Sequence, residues 1–431
     1  MEHGPLKMET SYFTFPTQEK KREPKDGCRS VYLVFYYTGL AILFPYTMLI
    51  TVTDFWNYKW RDVSLPYNSS REELTEQQKQ FPNQISMAGN VPLTLLVLVT
   101  LFFGHHVRLR TRLLASLLLE VLAMAFLLLI ASLDTDQWQS TALVLILVAN
   151  VIYSSSNAIF QASFLGNLGR FPSTYIGGAN DGMGLGTALP ALVAVLVLAL
   201  DPPPTTLGLA GISTSLACLL LQIPLTGLLT KSTFYRHHSG EGQDQGVVFR
   251  DLLMVLSKTW PYQAAIFLDY TVTLAVHPAV TALIQPTASV PSAWHDKYFV
   301  PVCCFLAQAL ADWLGRSLAT LSQWPGPGQG AEVGTVLVAI LRAAFLPLLM
   351  FCNVAPLNRA TDVIFPSDLA YVSFLVVFSI SGGFLSNVCY MLAPKKGDGA
   401  EQEIAGLLLT TFLVLGLGVG SLIGPLLVQM L

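Results

Sequence analysis

Asp312-Trp313-Leu314-Gly315-Arg316 lies inside the apolar run 299–321, and its reading decides how the rest of the chain is taken. A carboxylate and a guanidinium four residues apart share one helical face. At the centre of a bilayer each alone costs about 3 kcal/mol or more, so both must face protein or a water-filled cavity. Paired with each other, they still leave hydrogen-bonding atoms for a third group. The run reads as a membrane span that handles something polar at mid-depth.

The surrounding sequence agrees. Hydrophobic residues make up 53% of the chain and charged ones 12%, with a mean hydropathy of +0.55. That composition is of an all-α integral membrane protein. Eleven stretches approach the ~20 apolar residues a span requires. They lie near 32–53, 85–103, 113–133, 140–164, 175–200, 206–229, 261–284, 299–321, 333–352, 368–392 and 404–430. The first begins too late and runs too long to be a cleaved signal, so it is kept as a span.

Basic residues set the orientation. The N-terminal tail carries Lys7, Lys20, Lys21, Arg22, Lys25 and Arg29. Alternate connections carry Arg108, Arg110 and Arg112, then Arg170, then Lys231, Arg236, Arg250 and Lys258, then Lys395 and Lys396. The opposite set holds Lys59, Arg61, Arg71, Lys79, Lys297 and Arg359. The N-terminus is therefore expected in the cytoplasm and, after an odd number of spans, the C-terminus outside. Asn68-Ser69-Ser70 is a glycosylation acceptor in the first loop, which the charges independently place outside.

A polar stretch, 230–258, divides the spans into a bundle of six at 32–229, with an extracellular loop at 54–84, and a bundle of five at 259–431, behind a tail at 1–31. Such a split suits a secondary transporter. His105-His106 and His237-His238 are read as solvated loop residues and not as metal ligands, and no cofactor is expected. The six cysteines form no disulfide framework. Glycines at 178, 182 and 186, and at 416, 420 and 424, form smooth strips, either for static packing or for contact between moving parts. Pro45, Pro92, Pro190, Pro278 and Pro347 fall within spans and can kink them. Further polar groups inside the spans are Glu120, Asp181, Asp269, His277, Arg342, Gln161, Asn90, Asn150 and Asn157. Each is either a substrate contact or an internal tie. For Asp312 and Arg316, helix locking is the competing role. Gln308, one turn earlier on a similar face, favours a site for a polyhydroxylated ligand such as a sugar.

At these residues the chain resembles the equilibrative nucleoside transporter family. The resemblance is carried by Asp312 to Leu318 with Trp324-Pro325-Gly326, by Gly39 to Tyr46, by Gln161-Ala162-Ser163 with Gly169-Arg170-Phe171-Pro172, and by Ser381 to Phe384 with Pro394-Lys395-Lys396. It runs in order along nearly the whole chain. It implies eleven spans in a six-plus-five, major-facilitator-like bundle that moves nucleosides such as adenosine and uridine, and in some members nucleobases, down a gradient by alternating access. Carried over by position, Leu43, Tyr46, Leu93, Gln161 and Leu417 would line the cavity, with Asp312 and Arg316 at the ribose. Gln161 has the paired donor and acceptor to meet a base edge, and Tyr46 an aromatic face.

The sequence departs from the family pattern at Tyr46 and Thr47, where tryptophan and asparagine are usual. Asn157 stands where a small residue is common, which predicts a tighter, more polar pocket wall and a poorer fit for bulky purine-derived inhibitors. His277 replaces an aromatic residue and, with an ordinary pKa of ~6.5, is a candidate pH sensor. A proton-coupled symporter and an organic-cation carrier of the same family are the alternatives; the latter requires an unpaired cavity acid such as Glu120 or Asp269. The chain has no His-Glu-x-x-His, no nucleophile elbow and no Gly-x-Gly-Asp, which argues against an enzyme. The expected partners are a nucleoside and the lipid bilayer, with no nucleic-acid polymer. The expected location is the plasma membrane and not a lysosome.

Overall fold

The computed structural model describes residues 24–64, 75–200, 202–239, 249–287, 292–326, 328–355, 359 and 362–431. The glycosylation acceptor expected at Asn68 lies outside them.

In chain order the helices are α1 (Ser30–Thr51), α2 (Thr53–Lys59), α3 (Glu76–Phe103), α4 (Leu109–Ser132), α5 (Gln139–Leu168), α6 (Ser173–Leu200) and α7 (Pro204–Leu229). After the short α8 (Thr233–His238) come α9 (Phe249–Val276), α10 (Ala307–Ser322), α11 (Gln329–Arg342), α12 (Phe345–Met350), α13 (Asp368–Leu392) and α14 (Ala400–Gln429). Among the described residues, ten helical segments are long and apolar enough to cross a membrane. The run that opened the sequence reading is not one of them, because α10 has only 16 regular residues. Its apolar start is instead wound in wide π turns, Trp294–Tyr298 and Val300–Leu306, which lead directly into α10.

The described part of the expected linker 230–258 holds α8 near its start and, from Phe249, the beginning of α9. Lys258 thereby sits inside α9, where it pairs with Glu401 at 2.8 Å. Prolines also act unequally. Pro45, Pro92 and Pro190 lie inside continuous helices. By contrast α9 stops at Val276, just before His277-Pro278, and the helix breaks at Ala343-Ala344 before Pro347.

Helices α1 to α7 pack mainly on one another, as do α9 to α14, and these two halves meet where α6 packs on α10 and α5 on α14. The glycine strips lie within the halves. A Cβ on Gly182 would fall 1.9 Å from the Tyr36 carbonyl of α1, and one on Gly420 2.5 Å from the Thr271 carbonyl of α9. Static packing is thus what these strips do.

Different glycines line the contact between halves. Gly177 of α6 lies under Met391 and Thr320, and Gly184 under Arg316 and Trp313. Gly169, just after α5, would place a Cβ 2.3 Å from the Gln402 carbonyl, and Gly406 of α14 one 2.6 Å from the Leu165 carbonyl.

Candidate functional site

Ion pairs close one end of the contact between halves. Glu403 of α14 accepts from Arg170 at 2.7 Å and faces Arg112 at 3.7 Å. Lys395 donates to the Phe171 carbonyl, and Ser173 Oγ donates to Gln323 Oε1 at 2.8 Å. This is the end where the charge pattern places the cytoplasm.

Toward the other end lies a cavity of about 450 Å³. Thr47, Thr51 and Asp54 wall it from one half, with Thr187 and Leu198 of α6; His277, Phe305 and Gln308 wall it from the other. It is mostly apolar, with a few convergent polar groups, as small-molecule sites are.

The candidate pair lies one helical turn beyond Gln308. Arg316 Nε donates to Asp312 Oδ2 at 2.8 Å. Its Nη2 donates to the Tyr270 hydroxyl of α9 at 3.1 Å, and that hydroxyl lies 3.1 Å from Ser386 Oγ of α13. Asp312 keeps 19% of its side chain accessible and Arg316 7%. Side chains of α10 and α9 therefore hold the guanidinium, with Ser386 of α13 behind the tyrosine, while the carboxylate retains accessible surface. Desolvation by the bundle makes each of these bonds firmer than it would be in water.

The other expected residues are placed as follows. Leu43, Tyr46, Leu93 and Leu417 are partly buried against the main core, and Tyr46 packs on α3 so closely that a Cβ on Gly89 would lie 2.7 Å from its hydroxyl. Gln161 is buried, and its side chain makes no hydrogen bond among the described residues. Thr47 and His277 line the cavity directly. Asn157 is buried and donates to the Ile42 carbonyl at 3.3 Å, tying α5 to α1. Asn90 is exposed on α3.

Several polar groups turn out to be internal ties. Asp269 forms a buried ion pair with Arg342, which also donates to the Phe378 carbonyl at 3.0 Å and lies over the Phe378 ring. Asp269 is thus a partner of α11 and not of His277. Asp181 accepts from Ser317 Oγ at 2.6 Å, joining α6 to α10. Glu120 is 1% exposed, away from the cavity wall.

Along this whole length the chain aligns with known carriers. The nucleoside transporter family profile matches residues 240–429. Equilibrative nucleoside transporter 1 of Rattus norvegicus is 29% identical over 94% of this chain and 98% of its own. Equilibrative nucleoside transporter 2 of Homo sapiens is 29% identical over 92% of this chain and 96% of its own. Over nearly its whole length this chain is similar to the equilibrative nucleoside transporters. That family consists of membrane transporters, not enzymes. The fold of this chain is similar to that of the proton:xylose symporter XylE, a major facilitator superfamily protein, with a TM-score of 0.59 at 10% identity, over 92% of this chain and 88% of that one. A bacterial homologue of ferroportin in its outward-facing state gives 0.60 at 10% identity, over 91% and 95%.

Proposed function

We propose that this protein is a facilitative, sodium-independent nucleoside transporter of the plasma membrane, working by alternating access through eleven spans with a cytoplasmic N-terminus. The eleventh is the wide-turned path ending in α10. The observation that carries the reading is the Asp312, Arg316, Tyr270 and Ser386 array, one turn beyond the cavity residue Gln308. A carboxylate acceptor beside a fixed guanidinium fits the vicinal hydroxyls of a ribose.

Ion pairs at the cytoplasmic end and a cavity at the other correspond to an outward-open state. Inward opening would separate α5 from α14 while each half keeps its own glycine-packed core. Asp269 is neutralised by Arg342, so the acid that an organic-cation carrier requires is not supplied there.

Asp312→Asn and Arg316→Lys test the site. Each should reduce uridine uptake at least tenfold in protein that still folds, because an Arg fork is not reproduced by an ammonium. Undiminished uptake in both variants would remove the pair from the substrate site.

A further inference from the structure

His277 stands at the end of α9, half-buried, with its ring against the wall of the cavity. Nδ1 lies 3.0 Å from Thr281 Oγ1, and Phe305 meets the ring edge to face at 5.6 Å. Thr281 is 1% exposed, and its hydroxyl oxygen accepts from the Cys304 thiol at 3.3 Å. A buried hydroxyl must also place its own proton. Of the two groups within reach among the described residues, His277 Nδ1 at 3.0 Å is a better acceptor than the Cys304 sulfur at 3.3 Å. Assigning the thiol as donor to the threonine and the threonine as donor to Nδ1, with the Cys304 sulfur itself 3.6 Å from Nδ1, puts the proton of the neutral imidazole on Nε2. Nε2 has no protein partner among the described residues and is not closed off from the cavity.

The other polar groups of this wall have mostly spent their protons. Thr47 Oγ1 donates to the Leu43 carbonyl at 2.8 Å, Thr51 Oγ1 to the Thr47 carbonyl at 2.6 Å, and Thr187 Oγ1 to the Gly184 carbonyl at 2.8 Å. These threonines offer the ligand lone pairs and methyl groups. Among the described residues the side-chain donors that remain are the hydroxyl of Thr53 at the mouth in the first half, and the Nε2–H of His277 and the amide of Gln308 in the second, on the side of Asp312 and Arg316.

We propose that His277, oriented by Thr281 and Cys304, is a specificity-determining hydrogen-bond donor for the sugar end of the ligand, with the 5′-oxygen of a nucleoside as its acceptor. The proposal rests on the nucleoside reading above. With the vicinal hydroxyls at Asp312 and Arg316, the remaining sugar oxygen extends toward Gln308 and His277.

The experiment measures half-maximal inhibition of uridine uptake by 5′-deoxyuridine and by uridine itself, in native protein, His277→Phe, His277→Gln and Thr281→Val. Native protein should prefer uridine over 5′-deoxyuridine by on the order of fivefold, the worth of one buried hydrogen bond. His277→Phe should erase that preference while still transporting. His277→Gln, which keeps an N–H donor, should restore part of it. Thr281→Val should weaken it with His277 intact, which marks Thr281 as a positioning residue. An equal preference in native protein and His277→Phe overturns the proposal. Loss of all uridine uptake by folded native protein would instead defeat the nucleoside reading, so the two failures are separable. Should His277→Phe fail to fold, the Gln and Val variants decide the matter, and native preference in both again overturns it.

Discussion

Arg170 donates to Glu403 at 2.7 Å, and this single bond joins the end of α5 in one half to the start of α14 in the other. The two side chains are 233 residues apart in sequence. Arg112 approaches the same carboxylate from α4, so one acid is shared by two basic residues. In the alternating-access cycle proposed above, every one of these contacts breaks when this end opens.

Glu403→Gln should therefore favour inward opening. A partly buried carboxylate serving two guanidiniums is worth about 1–2 kcal/mol to the closed end, a factor of roughly 5–30 in the conformational equilibrium. Spin labels placed at the cytoplasmic ends of α4 and α13 would read the change as a longer distance distribution. An unaltered distribution would mean that backbone packing alone holds this end shut.

That packing has its own test. Gly169→Ala and Gly406→Ala put a methyl group against the opposing backbone in the closed end, a clash that is relieved once α5 and α14 part, leaving the Gly166 carbonyl 3.2 Å from the added group at 169. They should shift the same distance distribution in the same direction as Glu403→Gln, with little loss of thermal stability. Gly182→Ala is the contrasting case, because the Tyr36 carbonyl it would meet belongs to the same half. It should lower stability by about 1–3 kcal/mol, as overpacking does, and leave the ratio of states alone.

Arg342→Leu should be more damaging than either. It leaves the buried Asp269 carboxylate unpaired in the interior, at a cost of about 3–5 kcal/mol. The midpoint of thermal unfolding in detergent should fall steeply. Asp269→Asn combined with Arg342→Gln should recover most of the loss. A double variant no more stable than Arg342→Leu would show that the guanidinium matters for its bonds to α13 and not for the charge it neutralises.

How much of this was legible in the sequence depended on distance along the chain. The Asp312 and Arg316 pair is written at i, i+4 spacing on one helix, and the structure forms it. Asp269 and Arg342, 73 residues apart, follow no helical spacing, and only packing brings them together. The glycine strips were visible because they repeat every four residues. Gly177, Gly184, Gly169 and Gly406, which meet the opposite half, do not form such a series. The apolar segment before α10 reads as ordinary helix, because hydrophobicity does not distinguish π turns from α turns. His277 was recognisable as an unusual residue for its position. The threonine and thiol that orient it lie four and 27 residues away, and carry no signature of their own.

The most direct test of the account is uridine and adenosine uptake into proteoliposomes of the pure protein at pH 5.5 and 7.4, without sodium. A facilitative carrier gives saturable uptake at both pH values that stops when internal and external concentrations are equal, with or without a proton gradient. Accumulation above the external concentration driven by that gradient, or no uptake of either nucleoside by folded protein, would contradict it.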